Sequence, residues 1–154
     1  MSVSNPVSEA VENLIHEPTQ VHERGVDLTA SVLYRISEPG ALDFGGDEAA
    51  DADLEPVESV QRSAEDTYEW WELDGGQYVV QYNEFLAGEP EASLFLQPRN
   101  ELLARGASHP SVLVDSHLPL LALSVPAGGI DLKENARIST LVAVDGAPSP
   151  DSSA

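Results

Sequence analysis

From Val26 to Ile36 apolar side chains fall on every second position, Val26, Leu28, Ala30, Val32, Tyr34 and Ile36, until Glu38-Pro39-Gly40 interrupts them. That is the period of a strand with one buried face. The same period returns in Tyr78, Val80 and Tyr82, behind Tyr68, Trp70, Trp71, Leu73 and the turn Asp74-Gly75-Gly76, which predicts a glycine-turned hairpin. Further strands are predicted at Leu94 to Leu96, Val112 to Val114, within the apolar run Leu118 to Val125, and at Ile138 to Val144. Helical spacing is confined to the N-terminus, where Asn5-Pro6 precedes Val7, Ala10, Val11, Leu14 and Ile15, a capped amphipathic helix ended by Pro18. The stretch Asp43 to Gln61 is acidic, alanine-rich and weakly patterned, and its Gly45-Gly46 and Pro56 predict a solvated excursion. Many short strands separated by turns predict an all-β barrel or sandwich with a short N-terminal helix. One domain is expected over residues 1–144, followed by a disordered Pro/Ser/Gly-rich tail at 145–154.

Composition narrows the chemistry. The 154 residues contain no cysteine, which excludes disulfides, thiolate metal sites and a cysteine nucleophile. His16, His22, His109 and His117 lack ligand spacing, which speaks against zinc. Neither a signal peptide nor an apolar run long enough to span a bilayer is visible, and a cytoplasmic protein without a membrane partner is expected. With 27 acidic residues against 7 basic, the formal net charge is -20, and such a chain repels nucleic acid and anionic lipid. The acids are spread along the whole chain, and Lys133 is the only lysine, the style of salt-loving archaea whose acidic shells stay hydrated in molar salt. The paired tryptophans read as core or interface anchors rather than a ligand platform.

The stretch most like a site is the corner after Leu94-Phe95-Leu96. There Pro98-Arg99-Asn100-Glu101 turns into Leu102-Leu103-Ala104-Arg105 before Gly106. This spells strand, cap, one or two helical turns and C-cap, with an arginine at the place where backbone N–H groups gather, an arrangement suited to an anion.

Taken in order, the blocks resemble the superfamily of trimeric deoxyuridine triphosphatases and deoxycytidine triphosphate deaminases, particularly its archaeal members. Gln20 to Leu28, QVHERGVDL, looks like the first motif, and Trp71 to Glu84 is similar to the glycine-turn hairpin that precedes the phosphate site. Pro98 to Gly106 matches the second motif, Val114-Asp115 the aspartate of the third, and Asn135 to Leu141, NARISTL, the fourth. The resemblance implies a distorted jelly-roll or β-barrel, and a trimer with its active sites between subunits. It further implies a pyrimidine deoxynucleoside triphosphate, dUTP or dCTP, as the small-molecule partner. Asp115 would hold the attacking water as general base, Asp27 would reach a nucleotide-bound Mg2+, and Arg99, Asn100 and Thr140 would meet phosphate. Leu118 would cover the deoxyribose.

The departures from the family pattern lie at the same positions. Asn100 and Glu101 stand where two serines are expected, and a carboxylate beside a triphosphate costs on the order of 4 kcal/mol at ~4 Å and an effective dielectric near 20, before screening. Arg105 is one residue past the motif's later arginine, and His117, Leu118 and Leu120 replace a glycine, an aromatic and a second glycine. Thr140 replaces a glutamine, and residues 145–154, GAPSPDSSA with its preceding Asp145, hold no counterpart of the family's glycine-rich closing arm. The strand Leu118 to Val125 carries no acid to shuttle protons, which argues against deamination. The expected function is therefore that of a dUTPase-like protein with weakened catalysis, serving as a nucleotide-binding or structural subunit of a homotrimer or of a mixed trimer with an intact paralogue. The alternative is an active magnesium-dependent dUTP diphosphatase releasing dUMP and pyrophosphate.

Overall fold

The computed structural model describes residues 5–87 and 93–144; the tail expected at 145–154 lies outside them. Chain order is a 3-10 turn at Ser8–Ala10, β1 (Val11–Glu12), α1 (Glu17–Gln20), β2 (Val21–His22), β3 (Gly25–Glu38), β4 (Asp53–Pro56), β5 (Trp70–Leu73) and β6 (Gly76–Tyr82). Then come β7 (Phe85–Leu86), β8 (Ser93–Pro98), α2 (Asn100–Leu103), β9 (Val112–Val114), β10 (Leu121–Val125), β11 (Ile130–Lys133) and β12 (Arg137–Val144). The architecture is all-β: a curled antiparallel array in the order β10-β6-β3-β12-β8-β9, with β2 and β4 against β3 and two small pairs, β11-β5 and β1-β7.

The 14-residue β3 organises this array. Its first half pairs with β12, Asp27 opposite Thr140, and its second half with β6 and β4, so the strand passes from one wall of the half-barrel to the other. Irregular register at Ala30/Val32 and at Ile36/Glu38 supplies the bends. The start of β3 is buried on both faces, and the wall packs Leu28, Leu33, Val80, Leu96, Leu123 and Leu141 into the core. Gly25 is required by close approach, since a Cβ there would lie 2.0 Å from the Leu141 carbonyl oxygen.

Three local expectations are corrected. The predicted N-terminal helix is a three-residue 3-10 turn, because the residues after it leave the helix and Val11 pairs with Leu86. Pro18 does not end that helix; it sits in the first turn of α1, where its missing N–H costs nothing. The glycine turn at 74–76 does not close a hairpin: β5 pairs with β11, whereas β6 pairs with β3 and β10. It is a corner between layers. A Cβ on Gly75 would stand 2.8 Å from the Ala127 backbone, so the corner nests against the 126–129 turn. The acidic excursion is exposed as expected, although it also contributes β4 to the array. Trp71 is buried, and Trp70 lies beneath the Arg62 guanidinium at 4.3 Å. Among the described residues no helix is long and apolar enough to cross a membrane.

A buried polar chain runs under β12. The Tyr82 hydroxyl and Ser139 Oγ are 2.6 Å apart, Ser139 Oγ is 2.7 Å from His109 Nε2, and His109 Nδ1 is 2.9 Å from the Pro110 carbonyl. The carbonyl can only accept, so His109 carries its proton on Nδ1, Ser139 donates to Nε2, and Tyr82 donates to Ser139. Burial lowers the His109 pKa below the ordinary 6.5 and raises that of Tyr82. A lowered folded pKa means that the unfolded chain binds this proton more readily, so the contribution of His109 is present above about pH 6.5 and lost as pH falls further. The thermal midpoint is therefore expected to drop between pH 7 and pH 5, and by less in His109→Gln. An equal drop in the variant would remove His109 from the acid response.

Candidate active site

Asp27 is buried at the start of β3, and four donors converge on its carboxylate. Oδ1 accepts from Thr140 Oγ1 and from His22 Nε2, each at 2.9 Å. Oδ2 accepts from Arg137 Nη1 at 3.0 Å and faces Arg99 Nε at 3.4 Å. Strand register produces the cluster: Thr140 lies opposite Asp27 on β12 and opposite Gln97 on β8, and Arg99 leaves the end of β8 beside them. Arg99 is pinned further, its backbone N–H donating to the Ile138 carbonyl and its Nη1 to that of Arg137. Asn135, with φ of 69°, makes the left-handed turn that leads into β12. Since His22 Nε2 donates to Asp27, its Nδ1 accepts from the Arg24 N–H at 3.3 Å.

Two adjoining clefts open over this cluster. One, about 600 Å³, is lined by His22, Arg24, Asp27, Arg99, Arg137 and Thr140 among others. The second, about 570 Å³, shares Arg99, Glu101 and Arg137 and adds Arg105 over an apolar floor. Four of the chain's seven basic side chains thus line one continuous trough, against the four acids Glu23, Asp27, Glu101 and Asp131. On a molecule with 27 acids this is an island of balanced charge, and Asp27 is covered by its arginines. Asp131 is held at 2.7 Å by Arg62, and Glu101 Oε2 lies 3.2 Å from Arg99 Nη2.

The structure brings Asp27, Arg99, Asn100 and Thr140 together along one cleft, with Asn100 exposed as the first residue of α2 and Arg99, not Asn100, in the cap position. It does not bring Asp115 and Leu118 there. Val114 pairs with Leu94, at the opposite end of β8 from Pro98, and Asp115 lies exposed one residue further on. At about 3.3 Å per residue the offset along β8 is roughly 15 Å. Leu118 is partly buried against the core in the irregular segment after β9. Arg24, His22 and Arg137 were not singled out from the sequence. The available signal was scarcity, since four of the chain's seven basic residues, Arg24, Arg99, Arg105 and Arg137, lie within the family-like motifs.

The described residues offer no ready-made metal centre. The Asp27 oxygens are already engaged by four donors, and no group of three or more His, Asp or Glu could hold a cation.

Fold and trough together define an all-β protein with an arginine-lined cleft at the junction of β3, β8 and β12. No family model matches the chain. Three archaeal proteins are similar to it, each named probable deoxyuridine 5'-triphosphate nucleotidohydrolase. The one from Methanococcoides burtonii is 28% identical over 136 residues, 86% of this chain and 76% of its own length. Those from Methanosarcina mazei and Methanosarcina acetivorans are each 29% identical, over 137 and 136 residues, with the same coverage. These relatives support the resemblance to the dUTPase and dCTP deaminase superfamily that the motifs carry.

Proposed function

We propose that the chain is a dUTPase-like protein of pyrimidine deoxynucleotide metabolism, which holds a deoxynucleoside triphosphate in the arginine-lined cleft and hydrolyses it weakly. The observation that carries this reading is the convergence of Arg24, Arg99 and Arg137 on one cleft of an otherwise acidic molecule. Planar guanidiniums in fixed positions match phosphate oxygens and the charge that develops on them as the bond to the leaving pyrophosphate breaks. Asp27 acts here by holding two of those arginines and Thr140 in place. Magnesium enters with the triphosphate, as part of the substrate.

Asp115 serves as the base that orients water toward the α-phosphorus, giving dUMP and pyrophosphate. Because it lies at the other end of β8 from the arginines, one chain cannot close the site alone, and a neighbouring copy in a trimer supplies Asp115 and Leu118. Weak turnover follows from Glu101, which competes with phosphate for Arg99. Glu101 is exposed, so solvent and salt reduce its repulsion well below the unscreened value.

The test is pyrophosphate release from dUTP and dCTP in molar potassium chloride with magnesium. Slow release from dUTP is expected, with loss of release in Asp115→Asn. Glu101→Ser should tighten magnesium-dUTP binding by about tenfold, some 1.4 kcal/mol. Neither turnover nor magnesium-dependent protection by any pyrimidine deoxynucleotide would overturn the proposal, and turnover that survives in Asp115→Asn would remove Asp115 from it.

A further inference from the structure

Asn83 and Glu84 form the corner between β6 and β7, and neither lines the cleft. They nevertheless carry a polar knot that reaches across the molecule. Glu84 is buried, and its carboxylate accepts from three uncharged donors: the Thr29 N–H at 2.9 Å, the Thr29 hydroxyl at 2.5 Å and Gln20 Nε2 at 2.8 Å. The Thr29 hydroxyl gives its one proton to Glu84, so toward Asn83 Nδ2, at 2.9 Å, it acts as acceptor. Asn83 Nδ2 also donates to Asn135 Oδ1 at 2.7 Å. Taking a carboxylate out of water without a cation is costly, and apolar side chains would fill such a corner without that cost.

The outward bonds of the knot end beside the donors of the cleft. Asn135, two residues before Arg137, makes the left-handed turn at φ 69° that leads into β12, and its side chain is held by a residue 52 positions away. Thr29 is the register partner of Arg137 and lies two residues after Asp27 on the same strand. Gln20 Nε2 donates to the Asp27 carbonyl as well as to Glu84, and Gln20 Oε1 accepts from the N–H groups of Ile15 and His16. That fixes the chain two residues before His22.

We propose that Asn83 and Glu84 are positioning residues of the cleft, which hold Arg137 and His22 at the Asp27 carboxylate through Thr29, Asn135 and Gln20. The tie to Asp27 stands on its own; its consequence for phosphate rests on the function proposed above.

A double-mutant cycle in molar potassium chloride separates this role from plain support. Asn83→Ala should lower the denaturant midpoint, and by no more than about half as much when Asp27→Ala is already present, because no ion pair is then left for the turn to aim at. In parallel, inorganic tripolyphosphate is titrated by calorimetry. Its affinity is expected to fall about fivefold in Asn83→Ala, Glu84→Gln and Thr29→Val, the scale on which members of one hydrogen-bond network couple, and to return in Thr29→Ser, which keeps the hydroxyl. Thr29→Val preserves the shape of the buried side chain and takes the place of Asn83→Ala in the cycle should that variant not fold. Equal midpoint losses in the two backgrounds overturn the proposal, and so does an affinity that these variants leave unchanged. A wild type that binds no tripolyphosphate counts against the phosphate reading of the cleft, and the cycle alone then decides the positioning role.

Discussion

Replacing Asp27 with alanine is expected to destabilise the protein by about 3–5 kcal/mol, the range for removing one partner of a buried ion pair. Its carboxylate is buried and is the shared acceptor of Thr140, His22, Arg99 and Arg137. Without it, two guanidiniums face each other, and Arg99 is itself mostly buried, with 16% of its side chain exposed. Asp27→Asn keeps the shape and can still accept one set of hydrogen bonds, so it should lose less than alanine. Denaturant unfolding in molar potassium chloride gives the comparison. Inorganic tripolyphosphate adds a sharper readout, because an anion in the cleft replaces the missing charge and should stabilise Asp27→Ala more than the wild type. A loss under about 1 kcal/mol would mean that the cluster does not hold the arginines.

Removing salt should have the larger effect. A net charge of -20 on a chain of 154 residues is tolerated when the Debye length is ~3 Å, as at 1 M, and is felt across the whole molecule at ~30 Å, as at 0.01 M. Unfolding in dilute buffer is expected, with circular dichroism recovering as potassium chloride is raised. Full stability without salt would sink the halophilic reading of the composition.

The strands of this fold were legible because alternation survives wherever one face meets the core, as at Tyr78, Val80 and Tyr82. Pairing was not. Asp74-Gly75-Gly76 carries the same local signal whether it closes a hairpin or turns a corner, and what decides is its approach to Ala127, about 50 positions away. The helical spacing of Val7, Ala10, Val11 and Leu14 was genuine periodicity, overridden when Leu86 offered Val11 a strand partner. In the site, the Pro98-Arg99 corner could be found because a strand end, a cap and a glycine stop lie within nine residues. Arg137 could not, since its place beside Asp27 depends on β12 lying against β3 across 110 positions of sequence. The split between the arginines and Asp115 is likewise a matter of register along β8.

The position of β12 also governs the order in which the molecule can be built. It is the final strand of the described chain, yet it lies between β3 and β8 and pairs with both. During synthesis the residues of β3 leave the ribosome long before Leu141 arrives to cover Gly25. Non-local closure of this kind slows folding, and it is this closure that forms the arginine-lined cleft. Until it occurs, Asp27 has neither Thr140 nor Arg137, and a chain stalled short of residue 137 carries the second-motif corner with no cleft around it.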